Sequence, residues 1–224
     1  MKIKFNLSHL VIILFFLSGL NVFAKDMYKG KAWKDSVQQI PGKIQCELYD
    51  LGGEGIAYHD TDSINNGSGV LNIANGTFLN EFRMKEGVDI SYTKSDATDN
   101  NPYNLIEPAM GQLYVGWTNP GEWINYTVKV NKTGTYTIGI MYTASGDGSI
   151  SLDLDGNKVT AEMKISSTRN DKEPIAWRQW HHWNRIDSLA AVKLEKGIHI
   201  LTLKTVINGN MNYDFLNFEL TNIK

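Results

Sequence analysis

The sequence predicts an all-β sandwich. Three observations carry that reading. Short stretches alternate large apolar or β-branched residues with polar ones, turn-forming clusters of Gly, Asn and Asp separate them, and no segment after residue 24 has the period of an amphipathic helix. The clearest stretch is residues 111–130. It turns at Asn119-Pro120-Gly121 and then runs Trp123-Ile124-Asn125-Tyr126-Thr127-Val128-Lys129-Val130. Tyr126, Val128 and Val130 form one row and Asn125, Thr127 and Lys129 the other, the pattern of a strand with one buried face.

The remaining elements follow in order. Residues 1–24 have a basic start (Lys2, Lys4), an apolar run at 10–17 and Val22-Phe23-Ala24 before Lys25, the layout of a cleaved secretory signal peptide. A membrane anchor is the alternative, but the apolar run is short for a bilayer span. Residues 25–42 are polar and aperiodic and read as a linker or loosely packed arm. The globular domain is expected over 43–222. A strand at 43–49 points Ile44, Cys46 and Leu48 one way and Gln45, Glu47 and Tyr49 the other. Residues 51–66 form a Gly/Asp/Asn-rich loop holding Tyr58 and His59, and residues 82–90 end in a strand. Residues 91–107 read as a long exposed loop. Asn131-Lys132-Thr133-Gly134 joins the 123–130 strand to another at 135–142, which predicts a hairpin. A second hairpin is expected around Asp155-Gly156-Asn157. Strands at 186–194, 198–206 and 214–220 close the chain.

Composition narrows the function. Among 224 residues, 22 Lys and Arg against 24 Asp and Glu leave a net charge of -2, with no basic stripe to suit nucleic acid. Cys46, the only cysteine, cannot form an internal disulfide and reads as a small buried apolar residue. The 6 Trp and 10 Tyr include several in Gly/Asn/Asp-rich stretches, where aromatics more often serve binding than packing.

The order of the motifs resembles carbohydrate-binding module family 6. The matching pieces are Ile44 to Asp50; Gly52-Gly53-Glu54-Gly55-Ile56-Ala57-Tyr58-His59-Asp60; Arg83 with Glu86-Gly87-Val88-Asp89-Ile90; Val115-Gly116-Trp117 with Gly121-Glu122-Trp123; Gly134-Thr135-Tyr136; Leu154-Asp155-Gly156; Trp180 to Trp183; Gly197-Ile198-His199; and Asn212-Tyr213-Asp214-Phe215-Leu216. The resemblance implies a β-sandwich of jelly-roll, galactose-binding-domain-like topology. It also implies a non-catalytic module that binds a polysaccharide or oligosaccharide at loops on one end, beside a separate glycoside hydrolase.

Carried over by position, Tyr58 and Trp180 would hold a sugar ring and Asn212 would hydrogen-bond it. Glu122 would be a further polar partner, and Trp177 an extension of the platform. Flat aromatic rings suit the apolar face that axial C–H bonds give a sugar. Trp117, Trp123 and Trp183 are expected in the core or packed under loops. The family also implies a structural calcium. Gln45 and Glu47, with Glu219 chosen from strand parity, are the expected oxygen ligands. The segment between Gly67 and Leu113 and the loop before Trp177 are longer than the pattern and border the expected site. Two other classes stay open: a protein-interaction or adhesion sandwich, and a glycan-active enzyme needing two facing carboxylates. The adjacent His181 and His182 would point to opposite faces and make a poor chelate. A monomer, secreted or at the cell surface, is expected.

Overall fold

The computed structural model describes residues 27–221, so the expected signal peptide lies outside the described residues. Among the described residues, fifteen strands run in chain order. They are β1 (Gln38–Ile40), β2 (Gly42–Gln45), β3 (Tyr58–His59), β4 (Ser68–Gly69), β5 (Asn72–Ile73), β6 (Ile90–Tyr92), β7 (Leu113–Val115) and β8 (Trp123–Val130). There follow β9 (Gly134–Ala144), β10 (Gly148–Leu154), β11 (Asn157–Lys158), β12 (Met163–Ile165), β13 (Asn184–Leu194), β14 (Gly197–Ile207) and β15 (Met211–Leu220).

One sheet has the order β1-β8-β14-β10-β11, with β3 on β8 and β12 on β10. The other has the order β13-β9-β15-β7-β6, with β2 on β15. Their inner faces meet in one core. Tyr126, Val128 and Val130 of β8 and Tyr136, Ile138, Ile140 and Tyr142 of β9 are all buried, as the alternation requires. Buried tyrosines carry a polar tip that must be paired. Accordingly, Tyr126 donates to the Cys46 carbonyl at 3.0 Å and Tyr142 to the Ser166 carbonyl at 3.0 Å. The fold is a β-sandwich.

Two expectations are corrected here. β8 and β9 do not pair. They lie in opposite sheets, and residues 131–133 arch between them. β13 and β14 are joined by a similar arch, and the Lys196 N–H donates to Thr133 Oγ1 at 2.9 Å where the two arches meet. Alternation shows that a strand has a buried face but not which sheet it joins, so a hairpin and an arch look alike in sequence. The β10–β11 hairpin does form. Leu154 pairs with Asn157, and the two turn residues Asp155 and Gly156 have φ of 50° and 79°, the left-handed pair of a type I′ turn.

The second correction concerns the arm. Residues 38–40 form β1, which adds in parallel to β8 with Ile40 fully buried. Ahead of it, the Trp33 ring lies 5.2 Å from Phe82 and 4.8 Å from the Arg83 guanidinium. Arg83 is itself buried. It sits 3.4 Å from the Tyr49 ring and donates to the Asp50 carbonyl at 2.7 Å and to Glu86 Oε2 at 2.8 Å. The charge is paired and its donors used, which offsets the loss of hydration. The arm is therefore part of the sandwich.

Candidate functional site: an aromatic cleft at the loop end

Four loops meet over the start of β15. The first follows β7. Here the chain turns at Gly116 and places Trp117 at φ 47°. A side chain at 116 would bring its Cβ to 3.2 Å from Asn212 Oδ1, so glycine is what lets the loop lie on that amide. The second is a 3-10 turn, Ala176–Trp180, carrying Trp177 and Trp180. The third and fourth are the segments around Leu71 and residues 94–98. Together they wall a cleft of about 450 Å³ whose lining includes Trp117, Trp177, Trp180, Tyr114 and His181. Trp177 is 58% exposed, whereas Trp117 and Trp180 are half-buried.

The cleft rests on a buried hydrogen-bond chain. Asn212 is wholly buried. Its Oδ1 accepts the Trp117 N–H at 3.0 Å, which fixes the amide's orientation. Its Nδ2 then donates to Thr143 Oγ1 at 2.8 Å and to His181 Nδ1 at 3.0 Å. With Nδ1 an acceptor, the His181 ring proton sits on Nε2 and is donated to Asp99 Oδ1 at 2.8 Å. The same carboxylate takes the Trp183 indole N–H at 2.7 Å and the Lys94 N–H at 2.8 Å. Ring contacts tighten the group. Tyr114 meets Trp183 edge-on at 5.2 Å, and His181 meets Trp180 edge-on at 5.7 Å. Each loop is thus tied to the next by buried polar groups, which are costly to leave unpaired.

Beneath the 3-10 turn, Arg178 Nη2 donates to Glu173 Oε1 at 2.8 Å, and this bond holds the Glu173 carboxyl below its ordinary range. His182 is buried, donates from Nδ1 to the Thr168 carbonyl at 3.0 Å, and burial holds its pKa below the usual imidazole value. The two adjacent histidines do point apart.

The structure sorts the expected residues. Trp180 and Trp177 line the cleft. Asn212 lies under it, with every amide atom engaged, rather than at the rim. Tyr58 is elsewhere. It pairs in β3 with Ile124, is 5% exposed, and accepts the Gly87 N–H on its hydroxyl at 3.0 Å. Its ring meets Tyr49 edge-on at 5.6 Å, and it borders a separate groove with Glu54, Asp60 and Asp62. There burial, with repulsion from Glu122, Asp89 and Asp62, pushes Asp60 up to about 7. Glu122 is also buried. It accepts from Thr61 Oγ1 at 2.6 Å and from the Asn119 N–H at 2.7 Å, so it knots two loops together. Trp117, expected as packing, occupies the place expected of Tyr58. A glycine before an aromatic in a strand-ending loop was the available signal. Nothing in the sequence announced the left-handed backbone that turns Trp117 to the cleft.

The expected cation ligands divide as well. Glu219 is exposed and accepts from Asn217 at 2.8 Å, remote from the others along β15. Its place is taken by Asp214, which lies where the β15–β9 register shifts between Tyr213 and Phe215. Such bulges re-aim side chains, and strand parity does not foresee them. Glu47 Oε2 and Asp214 Oδ1 are both buried without a hydrogen-bond partner. Gln112 Nε2 reaches Glu47 Oε1 at 3.3 Å and Gln45 Oε1 at 3.4 Å, which brings these residues together. Burial pushes Glu47 up to about 8 and Asp214 up to about 7; repulsion by Asp214 adds to the rise of Glu47, and Lys43 draws Asp214 back. The side-chain oxygens of Gln45, Glu47 and Asp214, two of them orphaned buried carboxylate atoms, suit a hard cation.

Among the described residues no helix is long and apolar enough to cross a membrane. The family model for carbohydrate binding module (family 6) matches residues 82–223, more than half of the chain. No curated protein matches. Several solved structures are similar. A family 6 module from Clostridium stercorarium in complex with cellobiose is 12% identical, with 83% of this chain and 98% of that chain covered and a TM-score of 0.49. A module of Cellvibrio mixtus lichenase 5A in complex with cellotriose is 20% identical, covering 60% and 88% at 0.42. A family 35 carbohydrate-binding module from Clostridium thermocellum is 20% identical, covering 53% and 84% at 0.40. With the family model spanning residues 82–223, this chain belongs to carbohydrate-binding module family 6.

Proposed function

We propose that the chain is a secreted, non-catalytic module that binds a polysaccharide or oligosaccharide in the cleft of Trp117, Trp177 and Trp180. The observation that carries this reading is the convergence of three tryptophans on one cleft of about 450 Å³, over a fully engaged Asn212–His181–Asp99 base. Indole faces cover the apolar faces of sugar rings, and Lys94, Asp96 and Thr98 along the same cleft offer donors and acceptors to hydroxyls. The lining holds one carboxylate among the described residues, Asp96, where glycoside hydrolysis ordinarily uses two. The module is proposed to act without catalysis, in the service of a separate glycoside hydrolase. A small cleft of this kind gives dissociation constants on the order of micromolar to millimolar. Calcium, held by Gln45, Glu47 and Asp214, would bridge the end of β2 to β15 and neutralise two buried carboxylates. The sequence of residues 1–24 supports export, and the protein is proposed to act as a monomer.

Affinity electrophoresis on a panel of immobilised polysaccharides tests the reading. The wild-type protein should be retarded by at least one glycan. Trp117→Ala and Trp180→Ala should each run freely, and Tyr58→Phe, which lies outside the cleft, should behave as wild type. Retardation that survives both tryptophan substitutions would place the binding elsewhere.

A further inference from the structure

Two charged side chains stand on the cleft, Lys94 and Asp96, and both belong to the segment between Gly67 and Leu113 that exceeds the family pattern. Lys94 is held in place from both sides. Thr93 before it donates its N–H to the Gln112 carbonyl at 2.9 Å and accepts the Gly111 N–H at 2.9 Å. The Lys94 N–H itself is fixed on buried Asp99 at 2.8 Å. The ammonium, by contrast, has an aromatic face beside it and no anion. It lies 4.8 Å from the Tyr92 ring centre and makes no hydrogen bond or ion pair among the described residues. Burial draws its pKa down against the opposing pull of Asp99 and Asp96. An ammonium partly stripped of water and lacking an anion in contact is under-stabilised, and an anion brought by the ligand would restore what burial removes.

The neighbouring acids do not fill that role. Asp99 shares its charge among the Trp183 indole, His181 and the Lys94 backbone. Asp96 is exposed and accepts the Thr98 N–H at 2.8 Å. Neither comes within ion-pair distance of the Lys94 ammonium.

From this placement we propose that Lys94 makes the cleft selective for a glycan bearing an anionic group, the ring stacking on tryptophan while the carboxylate or sulfate pairs with the ammonium. The inference rests on the cleft reading above and specifies its substrate class. The shared chemistry is a singly charged oxyanion on a sugar, which a uronic acid or a sulfate ester would supply.

Isothermal titration with three probes separates the possibilities: a uronate-containing oligosaccharide, its carboxyl-reduced neutral counterpart, and a sulfated oligosaccharide. The wild-type protein should bind one anionic probe at least about tenfold more tightly than the neutral one, and which anionic probe it is identifies the source. Lys94→Gln should erase that preference, bringing the anionic and neutral probes within about twofold of each other, and raising salt from 50 to 500 mM should narrow the gap in the wild type. A neutral probe bound as tightly as both anionic ones, or a preference that survives Lys94→Gln, overturns the inference while the cleft reading stands. Binding of all probes undisturbed by Trp117→Ala and Trp180→Ala overturns the cleft reading itself. Lys94→Met, which keeps the alkyl stem over Tyr92, distinguishes loss of charge from loss of packing. It should match Lys94→Gln.

Discussion

Removing divalent cations should make this protein's stability fall as pH rises. Glu47 is pushed from 4.5 to about 8 and Asp214 from 3.8 to about 7, chiefly by burial. A carboxyl whose folded pKa is raised binds protons more tightly in the folded than in the unfolded state. Its stabilising proton is fully present below about pH 4 and is lost as pH climbs through the folded value. Each pH unit of that interval is worth about 1.4 kcal/mol. Glu47 alone would therefore lose up to about 5 kcal/mol between pH 4.5 and 8. Over the assayed range, pH 5 to 8, the Glu47 part of that loss is about 4 kcal/mol, against a typical total of 5–15 kcal/mol. For a domain of this size that is a fall in Tm of roughly 8–16 °C. Calcium should abolish the fall, since a bound divalent cation supplies the missing partner to both ionised groups and stabilises by mass action. The assay is differential scanning calorimetry from pH 5 to 8, in EDTA and in millimolar calcium. Curves that superimpose with and without calcium across the range would refute the reasoning, as would a full calcium response in Glu47→Gln.

Other outcomes follow from the same geometry. Asn212→Ala should cost about 2–3 kcal/mol, because it strands the Trp117 N–H and His181 Nδ1 in a buried setting, and chemical denaturation measures it. Gly156→Ala should cost about 1 kcal/mol, since φ of 79° in the β10–β11 turn favours glycine, and should lower Tm by roughly 2–4 °C without touching the cleft. In an NMR titration, His182 should stay neutral to a pH below the ordinary imidazole range, because burial disfavours its charged form. An ordinary titration midpoint would contradict the packing of His182 against Thr168 and Tyr103.

Alternation located the strands and their buried rows. Tyr126, Val128 and Val130 face inward as their spacing demands, and Phe218 and Leu216 do the same in β15. Turn chemistry found the Asp155-Gly156 hairpin. What alternation does not carry is sheet membership. The β8–β9 connection is therefore an arch where a hairpin was expected, and β1 joined the sandwich although residues 25–42 show no period. The site was partly legible for the same reason. Trp177 and Trp180 stood out as aromatics outside strands. Trp117 did not, because its exposure depends on a left-handed backbone and on Gly116 resting against Asn212. Asp214 was hidden by a bulge, which breaks the parity that pointed to Glu219. Local spacing encodes which face a residue takes within a regular strand. It does not encode the irregular residues that these sites use.

The two sites share a strand, and that has a measurable consequence. Asn212, under the cleft, and Asp214, at the proposed cation site, are two residues apart in β15, and the register shifts between Tyr213 and Phe215. The Cys46 N–H donates to the Asp214 carbonyl at 2.9 Å, so β2 holds the bulge from one side while Thr143 holds Asn212 from the other. An unpaired Glu47–Asp214 pair repels across that β2 contact. Relief of the repulsion would move the bulge, and with it the amide that fixes Trp117 and His181. Chelation at pH 8 should therefore weaken glycan binding as well as lower Tm, by about threefold to tenfold, the range of modest coupling energies. At pH 5, where the pair is protonated, chelation should leave binding nearly unchanged. Linkage also requires the converse, a glycan-dependent gain in calcium affinity of the same factor at pH 8. Calcium titrations with and without saturating glycan test it, and an unchanged calcium affinity would show that the bulge insulates one site from the other.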